Sequence, residues 1–573
     1  MTPTHEQPRR RPLGAVRAAL LLVAVPLSAQ PTQPTVIAPA LLGARVDSIF
    51  DPWRGTDRPG CTVGIGTPSE TLLERGYGMA DIESGVPLTP DRIVHSASLT
   101  KQVTALAVLL LARDGRLSLD DDVRRYVPEL PSYGERITIR HLLTHTNGLR
   151  DVFEMLILAR GRFEESRITS ADALDALVRQ DALNFAPGSD HLYGNSSYLL
   201  TALIIARVSG QSYADFVQTR IFAPLGMTKT RIRDDVTRLI PGRAVGYARA
   251  GAGFRTSTPN FDVVGSTNMQ TTVGDLLRLG RNLAHPRVGD STTIRAMLSP
   301  TVLPRGDTVG YGLGLALIRD GANDVVEHEG SDPGFRAYFG WYRSSSVMVA
   351  LLCNTSNLDP VGLGRRVARV ATGEPVIMPT GARAPTAMDS AAARAALRWA
   401  GVYFEPDTRA MVELTIRDGT LYSDRVGGVR IEATGPHRAH LVGTPLDLLF
   451  DSTGVTEHPA YVVRSAVPGR RPDRFTWVAP TTWQPTATAL KAYEGTYTNE
   501  ALASEFHVSA SDSTIVIAPR GGVRMTARPV MVDGFTSGQI RIQFRRSSGQ
   551  ITGLEITHPR ARALPYERAR RRR

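Results

Sequence analysis

Between Val103 and Leu111 the chain carries one polar side chain, Thr104, in nine residues. A helix that is apolar on every side has to be buried on every side, and this run falls well short of the roughly 20 apolar residues that cross a bilayer. It therefore predicts a helix at the centre of a large core, closed by Asp114-Gly115, where glycine suits the C-terminal cap. A chain of 573 residues is too long for one such core, so several domains are expected.

The residues just ahead of the run carry chemistry. They read Ser96-Ala97-Ser98-Leu99-Thr100-Lys101-Gln102, and Lys101 is one of only three lysines among 67 basic residues. The i, i+3 spacing sets hydroxyl and ammonium on one helix face. A lysine drawn into a core loses its proton near neutral pH, because desolvation disfavours the charged form. The helix N-terminus favours negative charge on the serine oxygen.

Acyl transfer also needs a proton carrier, an oxyanion hole and a wall for substrate. Tyr193-Gly194-Asn195, ahead of a helical pattern at Ser196 to Val208, offers a phenol to move the proton and an amide to orient lysine and substrate. His328-Glu329-Gly330, then Ser331, stands in a strand-like context. There Gly330 lets substrate lie along the strand, and the backbone N–H groups of Ser98 and Ser331 form the oxyanion hole. The bland alternative, Ser98 as a helix cap beside a solvated Lys101, is outweighed by three motifs in order. Tyr497-Thr498-Asn499 repeats the triplet, but it follows His328 and lies in a different domain. His141 and His145 have helical metal-binding spacing without a neighbouring glutamate, so neither a metal nor an organic cofactor is expected.

This ordered set resembles the serine β-lactamase and penicillin-binding protein superfamily, on the branch with class C β-lactamases, D-aminopeptidases and related esterases. The flanking text is similar too: Ile137 to Thr146, Phe185-Ala186-Pro187-Gly188, Phe222 to Met227, and Tyr311-Gly312-Leu313-Gly314-Leu315. The resemblance covers about residues 40 to 370 and implies an α/β (α+β) catalytic domain with a mainly antiparallel sheet flanked by helices. It implies Ser98, Lys101 and Tyr193 as catalytic residues, with Asn195, His328, Gly330 and Ser331 binding substrate and oxyanion. Which of Lys101 and Tyr193 is the primary base stays open. In that fold the strands of Cys61 and Cys353 are antiparallel neighbours, which implies a disulfide. This chain departs from the pattern at His328, where β-lactamases usually carry lysine. Asn147 replaces a common serine, and Thr267 to Gln270 stand where many relatives carry a glycine-rich turn.

The expected division is a signal peptide at 1–29, a hydrolase domain at 38–372, a linker at 373–389, two small all-β, barrel-like units at 390–485 and 486–567, and a basic tail at 568–573. The signal rests on Arg9 to Arg11, the apolar run Leu13 to Leu27 and a cut after Ala29. The linker rests on Pro375, Pro379 and Pro385. A weak repeat links the two units: Trp399-Ala400-Gly401-Val402-Tyr403 recurs as Tyr493-Glu494-Gly495-Thr496-Tyr497, followed late by Phe450 and Phe544. The net charge of +12 sits largely in leader and tail, without a basic stripe or aromatic platform, so nucleic acid is not an expected partner. Nor is a transmembrane segment expected. The reading is an exported, periplasmic or secreted serine hydrolase taking an ester, D-amino peptide or β-lactam. Its rival is an inactive module that binds cell-wall peptides.

Overall fold

The computed structural model describes residues 39–374 except 162, 163 and 165, and residues 398–569 except 406–409, 418, 424–428, 436, 442–445, 452–459, 466–472, 479–484 and 520–523. The signal peptide and most of the linker and basic tail fall outside the described residues.

The chain enters on α1 (Pro39–Phe50) and two strands, β1 (Cys61–Gly66) and β2 (Thr71–Tyr77). A helical layer follows: α2 (Thr100–Arg113), α3 (Val152–Arg160), α4 (Asn195–Ser209) and α5 (Val273–Ala284). The chain then returns through β3 (Ala316–Asp320), β4 (Asn323–Asp332), β5 (Phe335–Tyr342) and β6 (Val347–Cys353), and ends the domain on α6 (Pro360–Thr372). The six strands form one antiparallel sheet in the order β3-β4-β5-β6-β1-β2. Strands from both ends of the domain therefore meet at β6 and β1, as the sequence led us to expect.

Alternation decides what each face meets. Along β6, Val347, Val349, Leu351 and Cys353 pack with α1 and α6, while Met348, Ala350 and Leu352 join the core on the helical side. A strand covered on both faces reads as a continuous apolar run for that reason. On the helical side α2 is buried from Thr100 to Leu111. Each buried leucine or valine there contributes roughly 1.5–3 kcal/mol.

The segment Tyr311 to Leu315 precedes β3, which begins at Ala316. Gly312 and Gly314 turn the chain there. A β-carbon at 312 would fall 2.1 Å from the Met297 carbonyl oxygen, and Gly314 has φ +76° and lies against the Lys101 backbone. That turn carries Tyr311 towards β4.

Two closed barrels follow, with strands running from Gly401–Glu405 to Asp473–Val478 and from Gly495–Asn499 to Ala561–Arg568. The sequence repeat has an atomic counterpart. Gly401 and Gly495 both take positive φ, 145° and 152°. Tyr403 and Tyr497 donate their hydroxyls to the carbonyls of Trp399 and Tyr493, at 2.9 and 2.8 Å. Trp399 and Tyr493 pack on Phe450 and Phe544, with ring centroids 4.0 and 4.7 Å apart.

Cys61 and Cys353 stand opposite each other across β1 and β6 and are disulfide-bonded. The expected outcome is that alkylation without reduction labels neither cysteine. The paired Cys61→Ala, Cys353→Ala variant should lose about 2–4 kcal/mol in denaturant melts.

Candidate active site

Ser98 sits in a short 3-10 turn, Ala97–Leu99, that leads into α2. The turn is pinned from one side by a single neighbour: the Ser96 N–H and hydroxyl both donate to the Met269 carbonyl, at 3.0 and 2.9 Å. Thr100 Oγ1 donates to the Ala97 carbonyl at 2.7 Å and accepts from the Met269 N–H at 3.1 Å. Ala97 itself has φ +47°, a left-handed conformation unusual for alanine, and is fully buried. Strain of this kind costs about 1–3 kcal/mol and persists only where surroundings impose it. The side-chain cap considered for Ser98 is not made at either the turn or α2.

Gly330 is also needed here for a packing reason that the sequence did not suggest. A β-carbon at 330 would lie 2.3 Å from the Ser96 carbonyl oxygen. The missing side chain lets β4 press against the back of the Ser98 turn, between Glu329 and Ser331, which line the cleft.

Lys101 is fully buried, and its amine has three neighbours: Ser98 Oγ at 3.0 Å, Asn195 Oδ1 at 2.9 Å and the Ser266 carbonyl at 2.9 Å. Two of these are pure acceptors. A neutral amine gives its two hydrogens to them and turns its lone pair to the Ser98 hydroxyl, as a general base must. Burial holds the Lys101 pKa down to about 7; Asp332 and Asp151 oppose the shift and Arg560 adds to it.

The Tyr193 ring lies under the amine, 4.8 Å from nitrogen to centroid. Burial raises its phenol pKa, and a contact with the Ser98 hydroxyl offsets part of the rise. The phenol thus keeps its proton at neutral pH and is placed to give it away. Asn195 opens α4, and its side-chain and backbone N–H groups both reach Asp151 Oδ2, at 3.1 and 2.5 Å. Asp151 in turn caps α3 through Oδ1.

His328 is held neutral in a single tautomer. Nδ1 lies 2.6 Å from the Glu329 carbonyl, which can only accept, so Nε2 takes the Tyr311 hydroxyl at 3.1 Å. Burial, then the Lys101 charge, lowers its pKa to about 3. His145 lies past the helix Ile139–Leu143 at φ +57° and accepts the Gly194 N–H on Nδ1 at 3.2 Å. That contact steadies the Tyr193–Asn195 turn. Among the described residues no group of three or more His, Cys, Asp or Glu is placed to hold a metal.

Ser98, Tyr193, Asn195, His328 and Ser331 face one cleft of about 470 Å³, with Lys101 beneath it. The sequence reading missed four contributors. Asp151 and the Ser266 carbonyl have no local signal. Tyr311 was read only as flanking text. Arg560 comes from the second barrel, yet lines the cleft.

A sequence model of the Beta-lactamase family matches residues 46–373. The chain belongs to the beta-lactamase family. Penicillin-binding protein 4* of Bacillus subtilis (strain 168) is 28% identical over 394 residues, spanning 65% of this chain and 85% of that protein. A D-aminopeptidase of Gluconobacter oxydans (strain 621H) is 28% identical over 333 residues, 58% of this chain and 62% of its own length. Among solved structures, D-amino acid amidase from Ochrobactrum anthropi SV3 complexed with L-phenylalanine amide superposes with a TM-score of 0.50 at 28% identity, covering 57% of this chain and 97% of that one. The octameric penicillin-binding protein homologue from Pyrococcus abyssi gives a TM-score of 0.53 at 21% identity over 84% of this chain and 98% of that one, a likeness of fold that extends into the barrels. Family and relatives together mark the chain as a serine hydrolase.

Ser98→Ala should abolish turnover while circular dichroism and Tm stay near wild type. Lys101→Arg should be nearly as damaging, because guanidinium cannot give up a proton at working pH. Tyr193→Phe should slow turnover by roughly a hundredfold or more, the usual worth of a positioned proton donor. With the free amine as the base, kcat/KM should fall below pH 7, with an acid limb near the Lys101 pKa of about 7.

Proposed function

We propose that this protein is an exported serine hydrolase that acylates Ser98 with neutral ester or amide substrates and prefers those with a free amino group. Lys101 takes the Ser98 proton as Oγ attacks the carbonyl carbon. The backbone N–H groups of Ser98 and Ser331 receive the oxyanion, and the Tyr193 phenol protonates the leaving alkoxide or amine. Proton return from Lys101 to Tyr193 resets the pair, and water then releases the acyl group by the reverse sequence.

Charge in the cleft carries the substrate reading. A lysine at position 328 would hold a fixed positive charge for a substrate carboxylate, whereas His328 is neutral. Arg336 reaches the same cleft and would be the natural replacement, but its guanidinium donates to the Asp332 and Phe335 carbonyls and lies in the field of Asp332 and Glu329. Arg560 pairs with Glu154 and neighbours Asp151. Four carboxylates thus surround two guanidiniums, which disfavours a carboxylate and favours an ammonium. The D-aminopeptidase and D-amino acid amidase among its relatives agree with an amino-bearing substrate. The cleft volume suits a small ester or dipeptide.

Export is supported by the segment at 1–29, and a disulfide inside the central sheet fits an oxidising compartment. The test of the substrate reading compares kcat/KM for D-alanine p-nitroanilide, p-nitrophenyl acetate and nitrocefin. The two substrates without a carboxylate should win in wild type. His328→Lys should move the ratio towards nitrocefin by roughly fivefold, about the 1 kcal/mol of a solvated charge pair at contact. Nitrocefin as the best wild-type substrate would sink the argument from His328.

A further inference from the structure

One wall of the cleft belongs to another domain. The turn between the last two strands of the second barrel, Gln550–His558 and Ala561–Arg568, lies against the start of α3. Asp151 N–H donates to the Arg560 carbonyl at 2.8 Å, and Asn184 Nδ2 donates to the same oxygen at 3.1 Å. Arg562 N–H donates to Asn184 Oδ1 at 2.9 Å, and Arg150 donates to the carbonyls of Arg562 and Ala563 at 3.0 and 3.1 Å. The Arg560 side chain bonds Glu154, whose other oxygen is 3.1 Å from His558, and comes within 4.0 Å of Asp151 Oδ2. From Asp151 the path is short. The same Oδ2 accepts from Asn195 N–H and Nδ2, and Asn195 Oδ1 accepts from the Lys101 amine.

We propose that Arg560 is a positioning residue for the catalytic base: the hairpin of the second barrel holds the Asp151–Asn195 pair that orients Lys101 and balances the charge around it. The inference rests on Lys101 acting as the base. It makes the catalytic domain incomplete without its C-terminal barrel.

The groups facing Lys101 fix the sign of the test. Asp332 at the end of β4 and Asp151 before α3 favour its charged form, whereas Arg560 opposes it. Tyr193 and Tyr198 present their rings, and His328 and His145 are held neutral by burial. Taking the charge from Arg560 also strips Asp151 and Glu154 of their counter-charge, so Lys101 must hold its proton to higher pH. Taking the charge from Asp151 does the opposite.

The readout is the pH dependence of Ser98 labelling by a fluorophosphonate probe on the full chain, which needs no knowledge of the natural substrate. In Arg560→Gln the acid limb should rise by about half a pH unit or more. In Asp151→Asn it should fall, and in Arg560→Lys, which keeps the charge, it should stay near wild type. A folded Arg560→Gln with an unmoved limb overturns the proposal, as does a limb that moves equally in Arg560→Lys. Should Arg560→Gln not fold, Glu154→Gln carries the test, since it removes one of the two carboxylates beside Arg560 and should lower the limb; no movement there is equally fatal. Wild type that fails to label defeats the Ser98–Lys101 mechanism and this inference with it. Labelling with an immobile limb defeats the inference alone.

Discussion

A lysine amine enclosed in the core, 3.0 Å from a serine hydroxyl, sets the terms for everything around it. Burying an ammonium without partners is costly enough that the group sheds its proton instead. The fold brings that about by burying Lys101 in the first turn of α2 and laying the Tyr193 and Tyr198 rings against its amine. It then supplies two acceptors, Asn195 Oδ1 and the Ser266 carbonyl, for the two hydrogens of a neutral amine. Each acceptor needs its own support. Asn195 is held by Asp151, and the segment after Ser266 is tied down by Asn268 at φ +76° and by Thr267, which donates to Asp332 at 2.5 Å.

Charge outside this shell is arranged around the same requirement. Asp332 and Asp151 both draw a proton towards Lys101, and neither is left alone: His95 and Thr267 engage the first, and Asn195 and the α3 N-terminus the second. Arg560 arrives from the far end of the chain to pair with the acids on this side. A barrel that looks like an appendage in sequence therefore contributes a cation where the catalytic domain has an excess of carboxylates.

What the sequence made legible is the part written in contiguous text. Ser98 and Lys101 stand three residues apart just ahead of a run whose apolar character demands burial, Tyr193-Gly194-Asn195 leads directly into α4, and His328-Glu329-Gly330 sits on β4. The sheet was legible because Val347 to Cys353 has the unbroken apolar character of a strand covered on both faces. The barrel repeat was legible because its tyrosine, glycine and aromatic partner recur in order. What stayed hidden depends on distance along the chain. Glu154 and Arg560 are 406 positions apart, and nothing near either announces the other. The contact that requires glycine at 330 had no signal either, since the close neighbour is the Ser96 carbonyl, over two hundred positions upstream. The positive φ of Ala97 has no signature at all, because alanine does not prefer it; the surrounding contacts impose it.

The same arrangement bears on stability. Unfolded, Lys101 binds its proton with an ordinary lysine pKa; folded, that value is held down to about 7. Between those two pH values the unfolded chain binds more protons than the native one, so the contribution of Lys101 to stability rises with pH through that window and is least favourable below about pH 7. Across a window that wide the penalty is several kcal/mol, comparable to the whole net stability of a small domain. A base of this kind can exist only inside a core stable enough to carry it. The apolar run Val103–Leu111 of α2, the strands β1 and β6 buried on both faces, and the Cys61–Cys353 bond between them form that core. The feature that first marks this chain as having a deep core, the run from Val103 to Leu111, is thus the condition for its chemistry.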